Sequence, residues 1–193
     1  MGIILASGSP RRLELLKMMG LTRFKVIADL SEEIINPGLL PEEQVKKLSL
    51  QKAQNVSAMC DKDDIIIAAD TLVYLNDEPL GKPSSQAEAT KMLQKLSGKK
   101  HSVYTGVTLQ RGDTQTTNAE KTDVYFRRIS DDEIAAYVKT GEPMDKAGSY
   151  AAQGGAAVFI ERIEGDFFNV MGLPLCRLSK MLRDYGIKCT RKE

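Results

Sequence analysis

Ile3-Ile4-Leu5-Ala6-Ser7-Gly8-Ser9-Pro10-Arg11-Arg12 is a buried-strand pattern that runs directly into a helix start, and its reading sets the α/β character of the chain. Ile3, Ile4 and Leu5 form the apolar run. Ser9 is a favoured N-cap, and Pro10 suits the first helical position, where no backbone donor is needed. Leu13, Leu16 and Met19 then recur at helical spacing. The first-turn amides would point toward the space beside Ser7 and Gly8, where Arg11 and Arg12 add two cations, so a phosphate would satisfy both. A plain helix start carrying two solvated arginines fits the same residues, although arginines there oppose the dipole's preference for acids.

Working outward, apolar runs alternate with amphipathic ones. A short strand is expected over Phe24 to Ala28, followed by the acidic segment Asp29-Leu30-Ser31-Glu32-Glu33. Pro41 opens a second helix to about Met59, with Val45, Leu48 and Val56 on its apolar side. Ile65-Ile66-Ile67-Ala68-Ala69 is the clearest buried strand; it ends in Asp70-Thr71, and a strand resumes from Leu72 to Leu75. Asn76 to Pro79 reads as a turn, and a third helix spans Gln86 to Leu96 before Gly98. Alternating segments Ser102 to Gln110 and Thr117 to Phe126 flank Arg111-Gly112-Asp113 as a hairpin, and Ser130 with Glu133 is a capping box opening a helix to about Thr140. A strand from Ala156 to Glu161 and an amphipathic helix ending near Tyr185 complete the pattern. Hairpins interrupting a βαβ order predict one α/β domain, residues 1–193, with a mixed sheet.

Composition narrows the chemistry. The 193 residues are 42% hydrophobic, enough for a sizeable core, and 27 Lys plus Arg against 26 Asp plus Glu leave a net charge of +1. That balance gives no global drive toward nucleic acid or acidic membranes, so any anion site is local. No apolar stretch approaches a membrane span and no secretory-signal pattern is present, so a cytoplasmic location is expected. Cys60, Cys176 and Cys189 have no metal-binding or disulfide-framework spacing. His101 is the only histidine, and its place at the start of an alternating strand reads as a strand-edge polar residue. Acid-base or metal chemistry therefore falls to carboxylates and lysines, and such ligands favour hard cations, Mg2+ or Mn2+. No Gly-x-x-x-x-Gly-Lys-Ser/Thr pattern occurs, which excludes a P-loop enzyme.

Asp70 is the leading catalytic candidate, because it follows an apolar run at the carboxyl edge of a strand, where open α/β sheets bind ligands. Its alternative role, a turn start, sits poorly with the β-favouring Thr71-Leu72-Val73-Tyr74 that follows. Lys82, between Gly81 and Pro83, is presented from a stiff extended backbone. Lys52 and the Glu32-Glu33 pair are individually ordinary solvated charges.

Taken together, Ser7-Gly8-Ser9-Pro10-Arg11-Arg12, Lys52-Ala53, Ala69-Asp70-Thr71, Gly81-Lys82-Pro83, Leu96-Ser97-Gly98, Tyr104-Thr105-Gly106, Asp145-Lys146-Ala147-Gly148 and Gly172-Leu173-Pro174 resemble the motif series of the Maf proteins. These are nucleoside triphosphate pyrophosphatases, also described as septum formation inhibitors. The resemblance runs in order along nearly the whole chain. It implies an elongated mixed sheet flanked by helices, with two lobes around a central cleft, similar to the inosine triphosphate pyrophosphatase fold. It also maps function onto Arg12, Glu33, Lys52, Asp70, Lys82 and Gln153, with Glu33 favoured over Glu32 by counting from Phe24.

The reaction so implied is hydrolysis between the α and β phosphates, with Asp70, Lys52, Lys82 and Glu33 as the catalytic set. Ser7, Ser9 and Arg11 or Arg12 would hold phosphate beside the helix amides. Asp70 would accept the water's proton or, with Glu33, hold a divalent cation; the two roles stay open. Arg12, Thr71 and Gln153 resemble the specificity set of the branch acting on dTTP and UTP. The expected partner is a nucleoside triphosphate, with no nucleic acid and no membrane, and a homodimer is left open. Two alternatives remain: a pyrophosphatase for modified purine or methylated guanosine triphosphates, and a non-enzymatic division regulator.

Overall fold

The strand that begins at Ile65 continues without a break through Asp70 and Thr71 to Leu75, so the run ending at Asp70-Thr71 and the piece resuming at Leu72 form one sheet strand. In the computed structural model, which describes residues 1–189 except Leu30, Glu32 and Pro37, the elements follow in order. They are β1 (Ile3–Leu5), α1 (Pro10–Met18), β2 (Lys25–Val26), α2 (Pro41–Ser57), β3 (Ile65–Leu75), β4 (Glu78–Leu80), α3 (Gln86–Leu96), β5 (Lys100–Arg111), β6 (Thr114–Phe126) and α4 (Asp131–Lys139). After them come three short 3-10 turns, at Glu142–Asp145, Ala147–Ser149 and Gly155–Phe159, then β7 (Ile160–Glu164), α5 (Phe167–Met171) and α6 (Leu175–Asp184).

The strands form a seven-stranded sheet of order β2-β1-β3-β5-β6-β7, with β4 paired to β3. It is mixed, as expected. β1 runs parallel to β2 and to β3, with Ile4 opposite Ile66, whereas β3/β4 and β6/β7 are antiparallel. The β3–β4 turn is tighter than the sequence suggested. Asn76 and Asp77 both take positive φ, 50° and 63°, as a two-residue hairpin with the sheet's twist requires, and this frees Glu78-Pro79 to pair as strand.

The chain divides into two compact units, and the division falls within β3, β5 and β6. The first comprises Met1–Asp70, Thr105–Glu120 and the segment from Gly172. There Ile4, Ala6, Ile66 and Ala68 pack against Ala53 and Val56 of α2. The second, Thr71–Tyr104 and Lys121–Met171, has its own core of Val73, Leu93, Leu96, Val124, Phe126, Ile134 and Phe159, among others.

The capping box at Ser130 and Glu133 forms as expected: the Glu133 amide donates to Ser130 Oγ, and Ser130 N–H donates to Glu133. Three expectations are corrected. Ser9 occupies the N-cap position of α1 but makes no side-chain cap; its own N–H instead donates to Ser7 Oγ at 3.2 Å. In α1 the fully buried residues are Leu15 and Leu16, while Leu13 and Met19 are half-buried, which turns the helix slightly from the expected face. Gly155 to Phe159 is helical rather than strand, because Ala156 and Phe159, three residues apart, are the buried pair, and only Ile160 onward joins the sheet.

His101 is the clearest departure. It is 2% exposed, not at a strand edge, and its ring stands edge-on to Phe126 and Tyr150, sharing a 2.8 Å hydrogen bond between Nε2 and Tyr150 Oη. Burial, partly offset by Asp123 and the Lys99 backbone, lowers its pKa from 6.5 to about 4, so it is a neutral core residue.

Candidate active site

The first unit gathers its charged side chains through helix α2. The helix lies directly on β5 because residue 106 is glycine: a Cβ there would stand 2.1 Å from the Val45 carbonyl oxygen. Two residues further along the strand, Thr108 Oγ1 meets Ser49 Oγ at 3.0 Å, and two further still, Gln110 donates to Ser57 Oγ at 3.1 Å. One face of the strand thus fixes the helix along its length.

So docked, α2 presents Lys52 to two carboxylates. Its Nζ donates to Glu33 Oε1 at 2.7 Å and to Asp70 Oδ1, and its side chain is 12% exposed. Asp70 is 2% exposed. Burial pushes its carboxyl above the ordinary range; Lys52 and Arg12 oppose that shift, while Glu33 reinforces it. A raised carboxyl is a better proton acceptor near neutrality than an ordinary one.

The segment carrying Glu33 is held on both sides by the same helix. Upstream, Asp29 accepts from Ser31 and from Asn55 of α2; burial works against its charge, but these bonds and Lys52 keep its carboxyl below the usual value. Downstream, the wholly buried Gln44 accepts from the Asn36 N–H at 2.8 Å and donates to the Ile34 carbonyl at 3.1 Å. Neither Gln44 nor Asn55 was singled out from sequence. Gln44 carried a signal, being a polar residue on the helix face that also bears Val45 and Leu48. Glu32 lies outside the described residues.

Arg12 completes this group. Its Nε donates to the Gly172 carbonyl at 2.8 Å, and its Nη1 donates to Ser7 Oγ at 3.1 Å. Burial lowers the guanidinium's pKa, offset in part by Asp70 and Glu33, and it remains a cation. Gly172, with φ 107°, belongs to a motif quoted from sequence, but its carbonyl's part in orienting Arg12 was not foreseen. Arg11 is half-buried, and its charge acts on Arg12 as a like charge.

The remaining sequence candidates lie in the second unit. Thr71 follows Asp70 directly in β3 and is half-buried. Lys82 is exposed, on a segment secured where Gly148 N–H donates to the Gly81 carbonyl at 3.0 Å. Gln153 is exposed on the loop before the turn at Gly155–Phe159.

For a cation, the donor set is oxygen only. Asp70 Oδ2 is buried without a hydrogen-bond partner, and Glu33 shares the Lys52 ammonium with Asp70. No cluster of three or more His, Cys, Asp or Glu occurs among the described residues. Two carboxylates without a full cage fit a hard cation that keeps most of its water or takes phosphate oxygens. Among the described residues no helix is long and apolar enough to cross a membrane.

A family model described as Maf-like protein matches residues 2–185. A protein of Caldicellulosiruptor saccharolyticus named dTTP/UTP pyrophosphatase is 44% identical over 196 aligned positions, covering 99% of this chain and 98% of that one. A protein of Methanosarcina barkeri with the same name is 49% identical over 187 positions, covering 96% and 94%. Among solved structures, a HAM1 protein from Coxiella burnetii aligns over 95% of this chain and 99% of its own, at 19% identity and a TM-score of 0.51, a likeness that shows the fold.

Proposed function

We propose, given that this chain belongs to the Maf-like protein family, that it is a nucleoside triphosphate pyrophosphatase preferring dTTP and UTP. The observation that carries this reading is the buried Asp70 at the end of the apolar half of β3, joined to Glu33 through Lys52 and accompanied by Arg12. The full-length relatives named dTTP/UTP pyrophosphatase support it.

In the reaction, water attacks the α-phosphorus, the bond from that phosphorus to the bridging oxygen breaks, and pyrophosphate leaves with the bond's electron pair. The nucleoside monophosphate retains the water's oxygen. A triphosphate brings about four negative charges, so attack requires their neutralisation as well as an aligned water. Arg12, Lys52 and Lys82 supply cations for this, and Ser7, Ser9 and Arg11 flank the phosphate end. Asp70 accepts the water's proton, a task its burial-raised carboxyl suits. In its alternative role Asp70 would instead, with Glu33, hold a divalent cation, which when bound supplies further charge neutralisation at the phosphates.

Base preference rests on Arg12, Thr71 and Gln153. Uracil and thymine present an acceptor, donor, acceptor edge that an amide, a hydroxyl and a guanidinium can match in part. Cytosine replaces an acceptor and the ring donor with a donor and an acceptor, which leaves groups unpaired at about 1–3 kcal/mol each. A 5-methyl group alters none of these bonds, so 5-modified uridine triphosphates are also substrates. A cytoplasmic location fits a reaction on free nucleotides.

The test is phosphate-product analysis on a panel of triphosphates with Mg2+ or Mn2+, run beside Asp70→Asn. The expected result is monophosphate plus pyrophosphate, with dTTP and UTP hydrolysed at least about tenfold better than CTP, ATP or GTP. Asp70→Asn should lose orders of magnitude in turnover while staying folded. A purine preference would overturn the base assignment alone, and near-normal turnover of Asp70→Asn would overturn the mechanism.

A further inference from the structure

Gln153 lies on a short stretch, Ala151 to Gly155, that is tied down at both ends by one neighbouring segment. At the upstream end, the Ala151 N–H donates to Tyr137 Oη at 3.2 Å in a buried bond. At the downstream end, the Gly155 N–H donates to Glu142 Oε2 at 2.9 Å. Between them the Gly154 N–H closes a turn on the Ala151 carbonyl at 3.0 Å.

Glu142 does more than accept one bond. A Cβ built on Gly154 would fall 1.9 Å from Glu142 Oε1 and 2.6 Å from its Cδ, so the carboxylate fills the space that any side chain at residue 154 would need. Gly154 has φ −109°, a value open to any residue, so its lack of a side chain answers to Glu142 and not to the backbone. Glu142 is in turn set by its own N–H, which donates to Thr140 Oγ1 at 3.1 Å just after Gly141 turns the chain at φ 78°.

Resting on the reading of Gln153 as a base-selecting amide, we propose that Glu142 is its positioning residue: by seating the Gly154–Gly155 backbone it holds Gln153 in register and so sets the discrimination between uracil and cytosine triphosphates. An amide can favour one base edge over another only when its backbone is fixed to a fraction of an ångström. The Glu142 bond is exposed, so it contributes little to the core and acts mainly on the position of this loop.

The test measures kcat and KM for UTP and CTP in Gln153→Ala, Glu142→Ala, Glu142→Gln, Gly154→Ala and the Glu142→Ala/Gly154→Ala pair, with urea midpoints confirming that each is folded. Glu142→Ala should raise the KM for UTP about five- to tenfold with kcat changed less than about twofold and CTP kinetics little altered, because the lost contact is one of binding. Glu142→Gln keeps an oxygen for the Gly155 N–H and should retain the preference. Gly154→Ala should reproduce the Glu142→Ala loss by displacing the carboxylate, yet add nothing in the Glu142→Ala background, where its methyl has room. If Gln153→Ala leaves the UTP-to-CTP ratio unchanged, the base-selecting reading fails and the proposal falls with it. If Gln153→Ala collapses the ratio while Glu142→Ala preserves it, or if the alanine effects simply add, the base reading stands and the positioning role is overturned.

Discussion

Replacing His101 with phenylalanine should flatten the acid dependence of stability. In the folded protein His101 is neutral, with its pKa lowered to about 4, whereas in the unfolded chain it titrates near 6.5. Between those values the unfolded state binds more protons, so unfolding free energy rises with pH. The contribution is complete above about 6.5, is lost as pH falls toward about 4, and is constant below. A shift of that size corresponds to about 3 kcal/mol in all, of which about 2 kcal/mol is lost between pH 7 and pH 5. Phenylalanine keeps the ring that stands against Phe126 and Tyr150 but cannot titrate. It also strips Tyr150 Oη of its 2.8 Å partner, a cost of about 1–3 kcal/mol that does not vary with pH in this range. The assay is urea unfolding by far-ultraviolet circular dichroism at pH 5, 6 and 7 for both proteins. Carboxylates common to the two cancel in the comparison, so the wild type should lose about 2 kcal/mol more than His101→Phe over the interval. Parallel pH profiles would refute the argument that burial of this imidazole is coupled to folding.

Gly106→Ala should destabilise the protein by about 3 kcal/mol and depress activity, since its methyl meets the backbone carbonyl of Val45 in α2, an atom that cannot swing aside; a wild-type urea midpoint would contradict the close approach. Lys52→Ala and Lys82→Ala should each reduce kcat by about a hundredfold, because phosphate charge is left uncompensated as the transition state forms. If either raises only KM, that lysine binds phosphate without aiding the chemistry. Excess chelator should abolish turnover and added Mg2+ or Mn2+ should restore it, as an oxygen-only site holds such ions modestly; full activity in chelator would remove the cation from the reaction.

Local signals carried much of this architecture. The apolar run into Asp70, the helix from Gln86 to Leu96 and the capping box at Ser130 were legible because each is decided by residues within a few positions of one another. What was not legible depends on distant partners. His101 looks like an edge residue until Phe126 and Tyr150 enclose it, and nothing near position 101 announces them. Ala156 to Glu161 begins as an apolar run that passes for a strand, but the burial of Ala156 and Phe159 together makes Gly155 to Phe159 a helical turn. In the candidate site, Asp70 stood out by its setting, whereas Lys52 and Glu33 were visible only through family resemblance, since a lysine on a helix and an acidic pair are ordinary surface features. Gln44, Asn55 and the Gly172 carbonyl act by supporting those residues, and such supporting roles are defined by three-dimensional proximity.

The bond from Arg12 to the Gly172 carbonyl joins residues 160 apart, and this has a consequence for folding as well as for geometry. α1 can form from local residues, yet the guanidinium that it carries gains its carbonyl acceptor only when the segment at Gly172 has folded against it. Without that segment Arg12 would keep its bond to Ser7 Oγ but lose the carbonyl that fixes its Nε. Competence for nucleotide hydrolysis is thereby tied to a contact that closes only when distant parts of the chain have come together.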